Sequence, residues 1–177
     1  MTDLPIDLRE GFEPDAHGLF EVLRRDIVWD ERMRSRRTAS FGVAYNYSQI
    51  TYPAVAMPER LLPLCDRIEA ELGFRPNNCL LNEYPDGDAT LGFHADHIDQ
   101  MAPGTGVAIL SLGGVRPIQF RLKENRSTVC EMKLRDGSLL FMPNDMQRDW
   151  QHAIPTCPGA ELRISLSFRR LLENAGG

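Results

Sequence analysis

From residue 78 onward the chain is divided into short apolar or alternating runs, each closed by turn chemistry, and this cadence restricts the fold more than any other feature. The runs are CLLNEY, VAILSLG, IQFRLK, STVCEMKL, SLLFMP and LRISLSF. Between them lie PDGD, APGTG, GGVRP, KENR, RDG, PND and CPGA, rich in the residues that reverse a chain. Short strands at regular spacing predict a mainly β core, a sandwich or barrel, of which the jelly roll is the double-sheet version. Helical spacing is confined to the first half. MPERLLPLCDRIEAELG keeps Leu61, Leu64, Cys65, Ile68 and Leu72 on one face, with Gly73 where a helix stops. Pro63 limits its first turn, so the helix is expected to start near there. Another helix is expected over 14–29, weakened by Gly18. The layout predicted is one domain over 1–177, with helical and lid elements to about 75 and a jelly-roll core over about 76–171.

The chain, at 177 residues, is long enough to bury a core without staples. No stretch approaches the roughly 18 uninterrupted apolar residues of a membrane span, so no membrane partner is expected. The start, MTDLPIDLREGFEP, lacks a basic-then-apolar leader, and cytoplasm is the expected compartment. Cys65, Cys79, Cys130 and Cys157 are scattered and read as small buried hydrophobes. A net charge of −5 weighs weakly against a nucleic-acid binder. The stretch RRDIVWDERMRSRR (24–37), however, carries six arginines against three acids, either a local positive patch or a solvated basic face. No protein partner is indicated.

GFHADHIDQ concentrates the chemistry. On an extended chain His94 and Asp96 point to one face, and His97 points away. A His-x-Asp pair needs a third ligand to matter, and the chain holds only four histidines. His17 lies in the expected N-terminal helix; His152, in DWQHAIP, lies inside the β region. Two imidazoles and a carboxylate form the facial triad of a non-haem Fe(II) oxygenase. The same set also serves zinc in a hydrolase that keeps a position open for water.

Arg163 separates the two. In LRISLSFRR, Arg163, Ser165, Ser167 and Arg169 alternate with Ile164, Leu166 and Phe168, giving one polar and one apolar face. An arginine directed into a β core needs an anion, and no acid neighbours it in sequence on that face. A dicarboxylate that chelates iron at one end would present that anion at the other. The alternative is a structural arginine paired with a distant glutamate.

Asn82 and Tyr84 in NEY, His94 and Asp96 in HAD, His152, and RISLSFR (163–169) together resemble, in order and spacing, the AlkB family of Fe(II)/2-oxoglutarate dioxygenases. The similarity runs from about residue 36 to 170, and the four motifs are specific as a set. The resemblance implies a double-stranded β-helix, the jelly roll, with iron held by His94, Asp96 and His152. It implies that Asn82, Tyr84 and Arg163 bind 2-oxoglutarate, with Ser165 on the same face and Arg169 as the motif's second arginine. O2 would be the third participant. The chemistry implied is hydroxylation of an N-methyl group, coupled to decarboxylation of 2-oxoglutarate to succinate, with the methyl lost as formaldehyde.

RRTASFGVAYNYSQITY is similar to the family's nucleotide-recognition lid, in which an F/Y-G…Y-x-Y-S pattern recurs. Tyr45 and Tyr47 would then face a base, with Phe41 as a stacker and Arg36 and Arg37 on phosphate. Ile98 occupies a position where demethylating members often carry an acid that reads the base edge, and Arg121 completes the substrate-binding candidates. The partner implied is alkylated single-stranded DNA or RNA. The alternatives are the same oxygenase acting on a small molecule or protein side chain, and a non-catalytic barrel that keeps its metal for structure.

Overall fold

A computed structural model of the chain describes residues 3–47, 49–127 and 129–173. The first half supplies β1 (Asp7–Arg9), α1 (Ala16–Asp26), β2 (Arg37–Gly42), β3 (Tyr45–Tyr47), β4 (Ile50–Tyr52) and α2 (Leu62–Leu72). The second supplies β5 (Asn78–Tyr84), β6 (Leu91–His94), β7 (Gly106–Gly113), β8 (Arg116–Leu122), β9 (Val129–Leu134), β10 (Leu139–Pro143), β11 (Trp150–Ile154) and β12 (Arg163–Arg169). Two antiparallel sheets face one another, as the jelly roll requires. One has the order β1-β10-β7-β12-β5-β2 and the other β6-β11-β8-β9, while β3 and β4 form a separate hairpin.

The alternation in β12 sorts these layers. Ile164, Leu166 and Phe168 point to one side of the large sheet, where Leu23 of α1 and Leu64 and Ile68 of α2 close a core over them. Its polar side faces the interior between the sheets, where Leu80, Val107 and Met142 pack against Ile118 and Phe120. Phe168 is fully buried in the helix-side core. Phe168→Ala is therefore expected to cost about 3–5 kcal/mol, read as a lowered urea midpoint at unchanged slope.

The helix expected near Pro63 begins at Leu62, with the proline in its first turn, where a missing N–H costs nothing. It ends on Gly73, whose φ of 82° is the left-handed conformation that glycine alone adopts cheaply, and whose N–H donates to Glu69 O at 3.0 Å. Helix α1 is shorter than the stretch 14–29, because residues from Ile27 turn extended. The first half is also more than helices and lid: β1 pairs with β10 and β2 with β5, so both edges of the large sheet come from it. Cys65 and Cys79 are buried as expected, and burial pushes both thiols up. Cys130 and Cys157 are only half-buried.

The basic stretch 24–37 is largely neutralised. Arg24 lies by Glu21, Arg25 by Asp26, Arg32 by Asp30 and Arg37 by Glu83, while Arg36 is buried. Among the described residues no helix is long and apolar enough to cross a membrane.

Candidate metal centre and adjoining pockets

Strands β6 and β11 are antiparallel neighbours, and their register sets His94 directly opposite His152. The two imidazole centroids lie 4.3 Å apart. Asp96 follows just past the end of β6, its Oδ1 at 3.5 Å from His94 Nε2 and 3.8 Å from His152 Nε2. One ligand atom from each of the three lies within 4.8 Å of the others. With bonds of roughly 2.1 Å, adjacent ligands of one octahedral ion sit about 3 Å apart, so a small side-chain adjustment closes the set on a metal.

The protonation states suit ligation. His94 Nδ1 is 2.8 Å from Gly92 O, a carbonyl that can only accept. Nδ1 therefore donates to that carbonyl, an arrangement that turns Nε2 toward the centre. Burial pushes His152 down to about 4, so at neutral pH it presents a bare nitrogen. Burial by itself would raise the Asp96 carboxyl, but its neighbours, the Arg169 guanidinium foremost, hold the group well below the usual carboxylate range. Asp96 Oδ2 accepts from Arg169 Nη2 at 2.9 Å, and the Asp96 N–H donates to Gln147 Oε1 at 2.9 Å. Two basic nitrogens and one carboxylate thus meet in the donor set expected of non-haem iron.

The polar side of β12 lines a narrow pocket beside the triad. Arg163 is paired in register with Tyr84, and Ser165 with Asn82, so all four converge there together with Arg169. Arg163 is buried, and its Nη2 donates to Ser111 Oγ at 2.9 Å. Its Nε and Nη1 have no partner among the described residues, and no carboxylate pairs with it. The distant glutamate considered from sequence is therefore absent from the described residues. A buried guanidinium with two unsatisfied donors is costly unless an anion arrives. A carboxylate reaching the outer end of the guanidinium would take Nη1 together with the remaining hydrogen of Nη2, a charge-assisted fork. Arg169 has Nε and Nη1 without partners beside its bond to Asp96.

A second cavity, of about 280 Å³, opens on the outer side of the triad, between Tyr45, Tyr47, Phe93 and His97. The rings of Tyr45 and Tyr47 stack at 6.0 Å. Ser48, the last residue of the lid pattern, lies outside the described residues. The remaining substrate-side candidates are not gathered here. Arg37 is opposite Glu83 across β2 and β5 and bonds it at 2.8 and 2.9 Å. Strand alternation turns Phe41 to the helix side, where it lines a separate cavity of about 540 Å³. Ile98 opens a short 3-10 turn and lines neither cavity beside the triad. Arg121 stacks on Phe93 at 3.9 Å and bonds Gln151 Oε1, one layer behind the cavity wall.

Arg36 also takes a different place from the one expected. It is buried, donating to Asn82 Oδ1 at 2.8 Å and to Tyr47 OH at 2.6 Å, and so ties the lid hairpin to the pocket floor. Gln147, which holds the backbone at Asp96, carries no signal in NDMQRDW that reading the sequence could use. His97, expected to point away from the His94 and Asp96 pair, instead lines the outer cavity with Phe93, because β6 ends at His94 and the chain no longer alternates beyond it.

Comparison with known proteins agrees with this geometry. The model of the 2OG-Fe(II) oxygenase superfamily matches residues 20–169. The chain is 31% identical, over 192 aligned positions, to the alpha-ketoglutarate-dependent dioxygenase alkB homolog 3 of Bos taurus, covering 97% of this chain and 65% of that protein. It is 30% identical over 157 positions to the DNA oxidative demethylase ALKBH2 of Homo sapiens, covering 81% and 59%. The chain therefore spans less than two thirds of the length of these relatives. In fold it is similar to the solved structure of OsALKBH1, with a TM-score of 0.72 at 16% identity over 96% of this chain and 98% of that one. With both sheets and the whole triad inside the matched residues, the chain belongs to the 2OG-Fe(II) oxygenase superfamily, whose reactions use Fe(II), 2-oxoglutarate and O2.

Proposed function

We propose that this chain is a single 2-oxoglutarate-dependent dioxygenase domain that removes N-alkyl groups from bases of single-stranded DNA or RNA. The observation that carries the oxygenase reading is Arg163, a buried guanidinium with two unpartnered donors in the same pocket as a His-Asp-His triad. In this reading His94, Asp96 and His152 hold Fe(II), Arg163 anchors the far carboxylate of 2-oxoglutarate, and Asn82, Tyr84 and Ser165 shape its pocket. Arg169 keeps Asp96 ionised and oriented. When bound, iron and 2-oxoglutarate supply the oxidation of an N-methyl carbon, which leaves as formaldehyde. The protein's own contribution is placement: it holds that carbon beside the triad and excludes water and other C–H bonds.

The nucleic-acid reading is supported by the cavity on the outer side of the triad, walled by stacked tyrosines as a flipped base requires. The relative ALKBH2, by name a DNA oxidative demethylase, lends it further weight. Tyr47→Ala is expected to raise the KM for a methylated oligonucleotide about tenfold, since stacking on one aromatic is worth roughly 1–3 kcal/mol per base. An unchanged KM would remove Tyr47 from the base site.

The acidic balance and the neutralised arginines of 24–37 favour a second reading, the same oxygenation of a small molecule or protein side chain. Succinate formation separates the two. Stimulation by methylated oligonucleotides that weakens steeply with added salt supports the first. Stimulation by a metabolite or peptide fraction, with none by oligonucleotides, supports the second.

A further inference from the structure

Two guanidiniums, not one, approach the ring of Tyr84. Arg163 Cζ lies 5.2 Å from its centroid and Arg116 Cζ lies 5.6 Å from it. Arg116, at the start of β8, is wholly buried. Its Nη1 donates to Asp86 O at 3.0 Å, and its Nη2 donates to Ala89 O at 2.7 Å and Pro155 O at 2.6 Å. No carboxylate pairs with it among the described residues, and its Nε has no partner there.

The three carbonyls belong to two loops that matter. Asp86 and Ala89 lie between β5 and β6, hence between Tyr84 and His94. Pro155 directly follows β11, which carries His152. Cys157 N–H, bonded to Gly87 O at 2.9 Å, joins the same two loops by main chain alone. Neutral amide groups can therefore make this junction, as a glutamine in place of Arg116 could do in part. A full positive charge buried without an acid is the expensive way to build it. The charge is also felt across the ring, since after burial itself Arg116 is among the groups that lower the proton affinity of Arg163.

We propose that Arg116 is a positioning residue for the co-substrate. Clamped by three carbonyls, it fixes Tyr84 against Arg163 and adds a second un-neutralised positive charge that favours a dicarboxylate over a monocarboxylate. This role rests on Arg163 anchoring 2-oxoglutarate. Arg116 does not line the co-substrate pocket, so its effect passes through Tyr84 and through space.

The test is a binding measurement without turnover: calorimetry of the Fe(II)-loaded protein under anaerobic conditions. The two ligands are 2-oxoglutarate and 2-oxopentanoate, which keeps the keto-acid end and lacks the far carboxylate. Arg116→Gln is expected to lower the preference for 2-oxoglutarate over 2-oxopentanoate about tenfold, the size of a charge interaction across several ångströms of screened interior. Arg116→Lys, which keeps the charge, is expected to hold that preference within about threefold, well under one tenfold step. An Arg116→Gln protein that folds and keeps the wild-type preference overturns the proposal, as does one that loses both ligands equally. If Arg116→Gln does not fold, Arg116→Lys decides: a retained preference supports the role of charge, and a tenfold loss despite that charge overturns it. Arg163→Gln is the control and should reduce the preference about 100-fold. If it does not, the co-substrate reading itself fails; if it does while Arg116→Gln changes nothing, only the role of Arg116 falls.

Discussion

Replacing Arg163 by alanine is expected to weaken 2-oxoglutarate binding by about 100-fold or more while leaving the metal site able to bind Fe(II). Removing one partner of a buried ion pair typically costs roughly 3–5 kcal/mol, and each 1.4 kcal/mol is a factor of ten in affinity. The structure gives reason to expect the full value. The guanidinium is buried, bonded to Ser111 Oγ and set against the Tyr84 ring, and its Nη1 remains unpartnered for the incoming carboxylate. In the apoprotein the variant removes an unsatisfied buried cation but leaves a cavity where one of the largest buried side chains stood, two opposed effects on stability. Titration of the Fe(II) protein with 2-oxoglutarate under anaerobic conditions measures the affinity, and thermal unfolding checks the fold. Unchanged affinity would remove Arg163 from the co-substrate site.

Replacing His152 by alanine is expected to abolish turnover with the fold intact. His152 offers one of the three ligand atoms gathered at the candidate site, and a facial triad has no redundancy. His152 is buried but bonded to no described acid closer than 3.8 Å, so its loss leaves a small cavity and no stranded charge. Asp96→Ala makes a poorer test. It strips the buried Arg169 of its carboxylate, so it mixes folding with metal loss. Fe(II) binding followed by calorimetry, alongside unfolding of the apoprotein, checks the His152 result. Residual turnover above a few per cent would place the third ligand elsewhere.

The jelly roll was legible because strands bounded by Gly, Pro, Asn and Asp keep that signature whatever packs on them. All six runs read from the sequence became strands, namely β5, β7, β8, β9, β10 and β12. The strands that escaped are those lacking such a pattern. β6 is only LGFH, interrupted by Gly92 and partly exposed, and β1 is a three-residue edge strand. β2 resembles a basic loop until Arg37 is seen opposite Glu83 and Thr38 opposite Asn82. The candidate triad was legible because His94 and His152, though remote in sequence, are the right kinds of ligand in a chain with few histidines. What sequence could not supply was register: that β6 lies beside β11, with the two histidines face to face.

Side-chain direction explains the substrate-side differences in the same way. Arg36 and Arg37 read alike in sequence, yet Arg36, just before β2, turns inward to Asn82 and Tyr47, while Arg37, on β2, reaches across to Glu83. Phe41 and Tyr47 read alike as stackers, yet one faces the helices and the other the pocket. Arg116 carried no motif, and its place beneath Tyr84 depends on three backbone carbonyls from loops remote in sequence.

The most direct test of the central claim is formaldehyde release from a single-stranded oligonucleotide carrying 1-methyladenine or 3-methylcytosine. The assay contains Fe(II), ascorbate and 2-oxoglutarate, with the His152→Ala protein as control. The account predicts formaldehyde from the wild-type protein and none from the variant. Succinate formed by the wild-type protein with no formaldehyde from either oligonucleotide would contradict it, leaving a working oxygenase whose substrate is not an N-methylated base.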